Sequence, residues 1–420
     1  MSREAFLYTI AAFARNMTAL LSGIAVLRWV APEQLGIWQT LLLAQIYLGV
    51  LRLGIVNGMN RELAFRLGSN DPDGAGRLAA TAQACVLACA AVAVLIMGGG
   101  AAFVWPREAA WRLPLVAMSL IVPLDLYYGY LEGTFRTHFD FGRLARIYIA
   151  TAALSLLSVA LVIVWGFDGY CYRAVLLSAL QTTLAFIFRP IRVRPHFDRA
   201  AFLTLQKTGL PLFGQNYLHQ VTRSLDRLAV LSIGSAELLG CYGPSLAVTR
   251  VITGLSDALN TYLSPRLSYR FGQTGRRAAL FRPAMQSVAV SILGALPLAV
   301  AGWFALPYLV GHLFPQYLPG LFAMRMALLT GLFLNARIAM AAPCMMKAWR
   351  FVVLEWLLGF VLKGGLLLGA VHAAGTLDGV AAVNTLAAAL AAGAVVYVVR
   401  RATTDPAPPA MPAGAAMQGS

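Results

Sequence analysis

The sequence predicts an all-α polytopic membrane protein, on three observations. Apolar residues fill 59% of the 420 positions and charged residues only 12%, whereas soluble domains carry about 25% charged residues. Runs such as AATAQACVLACAAVAVLIMGGG (79–100) reach the ~20 apolar residues an α-helix needs to cross a bilayer. Almost all loop arginines and lysines also fall on alternate connections, as the charge rule for membrane insertion requires.

Hydropathy places about twelve transmembrane helices, at 11–30, 36–56, 79–100, 113–131, 146–166, 172–189, 208–233, 239–263, 283–303, 319–341, 351–371 and 378–399. The opening MSREAFLYTIAAFARN is not expected to be a cleavable signal, because Arg15 interrupts its apolar run and the run leads straight into a span. The connections 57–78, 132–145, 190–207, 264–282 and 342–350, with both termini, hold residues such as Arg61, Arg66, Arg77, Arg136, Arg192, Arg194, Arg266, Arg270, Arg276, Arg277, Lys347, Arg350, Arg400 and Arg401. The opposite connections hold only Arg107, Arg112 and Arg173. Both termini are therefore expected in the cytoplasm. This asymmetry accounts for much of the net charge of +16 without a nucleic-acid partner. In the stretch 190–207, Asp198 is expected to cap a short helix at the membrane surface, with Phe202 and Leu205 on its apolar side. The tail 402–420, rich in Pro, Ala and Gly, reads as a disordered cytoplasmic end. Pro123, Pro211, Pro297 and Pro343 are expected to kink or begin helices.

The chain also repeats itself. A shift of 204 positions superposes APEQLGIWQ (31–39) on SAELLGCYG (235–243), aligning Glu33, Leu35, Gly36 and Trp38 with Glu237, Leu239, Gly240 and Tyr242. The same register aligns Thr18 with Thr222 and LAFRLG (63–68) with LSYRFG (267–272). Both members of each pair fall on the same side of the membrane, so the repeats share one orientation. The expectation is an N-terminal six-helix lobe (1–189), a cytoplasmic linker (190–207) and a C-terminal six-helix lobe (208–401), related by a pseudo-twofold axis along the membrane normal. Parallel repeats of this kind occur in transporters that rock around a central site, although a duplicated membrane fold can repeat for packing reasons alone.

Ionisable residues at membrane depth are costly unless paired or wet, and they mark pathways by default. Arg15, Arg28, Arg52, Arg223, Arg227, Arg250, Arg325, Arg337 and Lys363 stand against only Asp125, Asp226, Asp257 and Glu355. At a rise of ~1.5 Å per residue, Arg223, Arg250, Asp125 and Lys363 come nearest the midplane. The cationic excess points to a wet cavity that prefers an anion, and the planar arginine fork suits a phosphate. Arg250, Lys363, Arg223, Arg52 and Arg15 are the candidate anion contacts, and Asp125 and Asp226 the candidate ion-coupling carboxylates. The plainer readings are that Arg223 and Asp226, three apart, pair with each other, and that Arg15 and Arg28 snorkel to a nearby surface.

The odd number of cysteines has no metal-ligand spacing, and free thiols are expected, although Cys171 and Cys241 both fall near outer helix ends. No HExxH, GxxxxGK[ST] or GxSxG occurs, and DPD (71–73) lies in GSNDPDGAG, a turn sequence. Neither a cofactor nor a catalytic centre is called for.

The stretch ARNMTALLSGIAVLRWVAPEQLGIWQTLLLAQIYLGVLRLGIVNGMNRELAFRLG (14–68), with SLDRLAV and LLGCYG further on, resembles bacterial polysaccharide and O-antigen repeat-unit flippases of the multidrug/oligosaccharidyl-lipid/polysaccharide (MOP) exporter superfamily. The resemblance implies a MATE-like pair of lobes around a cationic cavity in the bacterial inner membrane. It also implies an undecaprenyl-pyrophosphate-linked oligosaccharide as cargo, ion coupling, and a glycan polymerase and glycosyltransferases as working partners. A drug or cation exporter of the same superfamily would need an acidic cavity instead. A glycan polymerase or ligase would need a large outer loop, and the connections here are short.

Overall fold

The computed structural model describes residues 3–104, 108–274, 276–346, 348–373 and 375–404. Arg107, Lys347 and the tail from 405 onward lie outside the described residues, as do the side chains of Asp257, Arg266 and Arg270. Helices are the regular structure of the described residues, with a non-helical stretch at 188–198: α1 (Arg3–Ala25), α2 (Pro32–Leu48), α3 (Ile55–Gly68), α4 (Pro72–Val104), α5 (Arg112–Thr137), α6 (Phe141–Leu157), α7 (Val159–Ile187), α8 (Arg199–Ile233), α9 (Ala236–Thr274), α10 (Phe281–Leu313), α11 (Leu321–Leu334), α12 (Ala341–Met345), α13 (Trp349–Ala373) and α14 (Leu377–Thr404).

Nine stretches among the described residues are long and apolar enough to cross a membrane, which makes this a multi-pass membrane protein. The difference from the twelve expected spans has local causes. The spans expected at 146–166 and 172–189 occupy α6 and α7, and the break between them is Gly166 (φ 56°) inside α7. There the chain folds back, because Arg173 donates to the Ser155 carbonyl at 3.3 Å; along one straight helix those residues would stand about 27 Å apart. The spans expected at 208–233 and 239–263 lie within α8 and α9, which are 35 and 39 residues long. Residues such as Gln215, Asn216, His219, Gln220, Arg223, Asp226 and Arg227 leave α8 polar for its length.

Other connections are more ordered than expected. The region 57–78 is mostly helix, and its reversal takes only 69–71. Asp71 closes that turn: its Oδ1 accepts from the Gly74 amide at 2.9 Å and its Oδ2 from Arg66 at 2.8 Å. The Gly74 amide, with Arg66 next, holds the Asp71 carboxyl below the usual carboxylate range. The expected cap at Asp198 forms, with its Oδ1 accepting from Ala200 N at 2.9 Å. The helix it starts is no separate surface piece, however. It runs on as α8, with Ala201 and Leu205 buried in a core alongside Met59, Leu63, Leu131 and Phe135. Pro123 and Pro211 lie inside α5 and α8, and Pro297 inside α10.

Internal packing divides the chain into two compact units. One is Met1–Pro244 with Val310–Pro319; the other is Ser245–Leu309 with Gly320–Ser420. The second unit has its own core, in which Leu267, Leu280 and Ala339 meet Val352, Val395 and Val399. Lipid tails are as apolar as leucine, so helices in a bilayer associate mainly through close packing and hydrogen bonds. Backbone breaks and glycine contacts are therefore informative. Leu53 (φ 41°) and Gly54 (φ 81°) interrupt the second expected span between α2 and α3. A Cβ on Gly54 would also meet the Gly209 backbone of α8, so only a hydrogen fits.

Candidate functional site

The two echoed phrases touch each other. Ala31 N donates to Gln34 Oε1 at 3.1 Å as α2 begins, with Pro32 at its first position and Glu33 in its first turn, where the helix dipole favours a negative charge. α9 begins in the same way, at Ala236 with Glu237. A Cβ on Gly36 would overlap the Ala236 carbonyl, and a Cβ on Gly240 would overlap the Pro32 carbonyl. The shift of 204 exchanges Pro32 with Ala236 and Gly36 with Gly240, so the two contacts are one contact made twice. Leu35, Leu239, Trp38 and Tyr242 are buried around it. Gln316 Nε2 donates to the Leu27 carbonyl at 2.7 Å and Tyr317 Oη to the Val30 carbonyl at 2.9 Å, tying down the neighbouring turn between α1 and α2.

A polar hub lies deeper in the same unit. Asp125 of α5 accepts from Gln45 of α2 at 2.9 Å and from Ser178 and Gln181 of α7 at 2.7 and 3.2 Å. Arg52, in the turn after α2, reaches the same helix α5. Its guanidinium lies beside Gly129, one helical turn beyond Asp125. The structure thus brings together two of the sequence-predicted residues, and the Arg52 Nε is buried without a hydrogen-bond partner.

The other candidates lie on different helices. Arg15 lies over the Tyr148 ring, 3.8 Å from its centroid. Tyr148 in turn donates to Glu132, which also holds Arg136 at 2.9 Å. Arg223 is exposed on α8, while Asp226, one turn on, is 4% exposed and accepts from Tyr242 of α9 at 2.7 Å. In the second unit, Arg250 is exposed on α9 and Lys363 is half-buried on α13. Glu355 of α13 pairs with Arg337 at 3.3 Å.

Sequence reasoning missed several of these groups. Arg173 was assigned to an outer connection, yet it is 8% exposed and donates to Ser22 at 2.6 Å and Ser155 at 3.1 Å. Gln45, Ser178 and Gln181 carry no charge, so the ionisable residues of the spans do not point to them. Their signal was available, as polar amides and a hydroxyl inside apolar runs. All five cysteines are free.

The chain has relatives in both sequence and structure. A family profile described as polysaccharide biosynthesis protein matches residues 80–317, more than half of the chain. No curated protein matches it by sequence. Among solved structures it is similar to an inward-facing multidrug resistance MATE family transporter of the MOP superfamily, at 14% identity and TM-score 0.73 over 96% of each chain. The outward-facing MATE structure gives 0.63 at 16% identity, over 96% of this chain and 95% of that one. The lipid II flippase MurJ in an inward closed conformation gives 0.69 at 11% identity, over 95% of this chain and 90% of that one. By profile the chain belongs to the polysaccharide biosynthesis protein family, and its fold is like that of these MATE and MurJ structures.

Proposed function

We propose that the protein is a flippase for lipid-linked oligosaccharide. It would carry an undecaprenyl-pyrophosphate-linked repeat unit from the cytoplasmic to the periplasmic leaflet of the bacterial inner membrane, for O-antigen or exopolysaccharide assembly. The observation that carries the reading is a polysaccharide biosynthesis family profile on a fold like that of the lipid II flippase MurJ. In this reading twelve spans form two six-helix lobes, 1–189 and 208–401, joined by 190–207 and followed by the cytoplasmic tail 402–420. The reciprocal Gly36 and Gly240 contact supports the twofold relation.

Arg250, Lys363, Arg223, Arg52 and Arg15 hold the pyrophosphate at successive stages. The buried Arg52 Nε is a donor that a phosphate oxygen or a water would satisfy. Asp125, bound by three neutral donors beside one arginine, is the coupling carboxylate. A proton there would remove the charge that attracts Arg52, and Asp226 is the second candidate. The rival reading, export of a cationic drug, draws on the likeness to a multidrug transporter. The surplus of arginine over carboxylate in the spans argues against it.

The test is deletion of the gene with complementation at native expression. Lipid-linked repeat units should accumulate on the inner leaflet, and their absence there would reject the flippase reading. Arg250→Ala and Lys363→Ala should each lower surface glycan about tenfold, the scale of one lost charged hydrogen bond. Full surface glycan in both variants would reject those two assignments. Asp125→Asn should abolish any dependence of transport on the proton gradient.

A further inference from the structure

The start of α13 and the end of α14 border an open concavity of about 540 Å³ that shares no residue with the candidate site described above. Its lining includes Arg350, Phe351 and Leu354 from α13 and Tyr397, Arg401 and Thr404 from α14, and no carboxylate is among the described residues that line it. Both arginines are steadied by rings. The Arg350 guanidinium stands 4.8 Å from the Phe351 centroid and that of Arg401 stands 5.7 Å from the Tyr397 centroid. Arg401 Nε also donates to Tyr397 Oη at 3.2 Å, leaving the end of its fork for another acceptor. Two guanidinium groups in one concavity suit an oxyanion such as a phosphate, whose several oxygens can accept from both.

The surroundings identify what carries the phosphate. Along α13, Leu354, Leu357 and Val361 follow Arg350 on one helix face, and all three are exposed. Along α14, Tyr397 and Leu390 precede Arg401 on one face, and both are exposed. Each helix therefore leads from a cation to an uncovered apolar stripe. A free phosphate would use only the cations. A phospholipid uses both, with its head between the arginines and its acyl chains along the stripes.

We propose that this pocket is a binding site for an acidic phospholipid, recognised by its phosphodiester through Arg350 and Arg401. The site lies at the helix ends and does not depend on the cargo assigned above. A bound lipid would clamp α13 to α14 across their ends.

The test uses the full chain in detergent doped with equal amounts of phosphatidylglycerol and phosphatidylcholine, with retained lipid counted by native mass spectrometry. Arg350→Gln/Arg401→Gln should lower the phosphatidylglycerol-to-phosphatidylcholine ratio by roughly tenfold or more, and each single substitution by roughly fivefold. Arg192→Gln/Arg194→Gln removes the same charge from exposed positions elsewhere and should leave the ratio unchanged. Inorganic phosphate at tens of millimolar should not displace the lipid. An unchanged ratio in the Arg350 and Arg401 variants, an equal loss in the Arg192/Arg194 control, or displacement by phosphate alone would each overturn the proposal. The single variants keep the test readable if the double variant fails to fold.

Discussion

Ser22 and Asp226 stand 204 positions apart, in the register that superposes the two echoed phrases. Both are buried on the helix that leads into an echoed turn, α1 in one case and α8 in the other. Their partners differ. Ser22 receives Arg173 at 2.6 Å and lies 2.9 Å from the Ser155 hydroxyl. Asp226 receives the Tyr242 hydroxyl at 2.7 Å. The glycines beside them have not diverged, since Gly36 and Gly240 each lie against the other phrase's backbone. The comparison separates two kinds of constraint. A backbone-to-backbone contact admits only hydrogen at the Cα, so both copies keep glycine. A buried polar position needs only some satisfied partner, so one copy keeps a hydroxyl that accepts from an arginine and the other a carboxyl that accepts from a tyrosine.

Substitution at the shared contact should have the largest effect. Gly36→Val and Gly240→Val should each cost at least about 3 kcal/mol, the upper end of overpacking, seen as loss of thermal stability in detergent. The two losses should agree within about 1 kcal/mol if the contact is reciprocal. Ala236→Gly should not rescue Gly36→Val, because the atom in the way is a backbone carbonyl; rescue would show that the contact is made by side chains.

The unlike polar positions come next. Ser22→Ala/Ser155→Ala strips Arg173 of its hydroxyl partners and should cost about 1–3 kcal/mol. Arg173→Met should cost less, since the two serines can still bond each other and a buried charge is removed. The reverse order in thermal melts would show that Arg173 holds more than these serines. Asp226→Leu should similarly cost about 1–3 kcal/mol, whereas Asp226→Asn keeps an acceptor for Tyr242 and should stay near wild type.

At Gly54, outside the reciprocal set, alanine meets both a positive φ and the Gly209 backbone, and should cost about 1–3 kcal/mol. The smallest change belongs to Gly23, where a Cβ meets nothing within 4 Å. Gly23→Ala should stabilise α1 by about 0.5–1 kcal/mol, and a loss would mean that this face is covered.

The membrane class, the general course of the spans and the repeat were legible in the sequence, because each rests on composition or on periodicity along the chain. The cap at Asp198 and the bond from the Gly74 amide to Asp71 at the start of α4 were legible too, since their partners lie within three residues, although the DPD segment (71–73) expected as a turn enters α4 at Pro72. The hub was half legible. Asp125 and Arg52 stood out as charges in apolar runs, but Gln45, Ser178 and Gln181 lie on two other helices, and nothing local joins them. Arg173 was misplaced for the same reason: hydropathy set it at the mouth of a span, and the fold-back at Gly166 carried it inward to Ser22.

The sequence by itself determined that the chain must be helical and lie in lipid. So apolar a chain leaves few backbone groups to water, and each must find its partner within its own segment. It also determined where the two halves speak alike. Only the tertiary structure decided that the like phrases meet each other, that α8 packs through Leu205 into the first unit's core, and which neutral donors hold Asp125. The physical reason is reach: a helix satisfies its backbone within four residues, but a buried side chain is satisfied by whatever another helix presents, and the order of residues along one chain does not encode that directly.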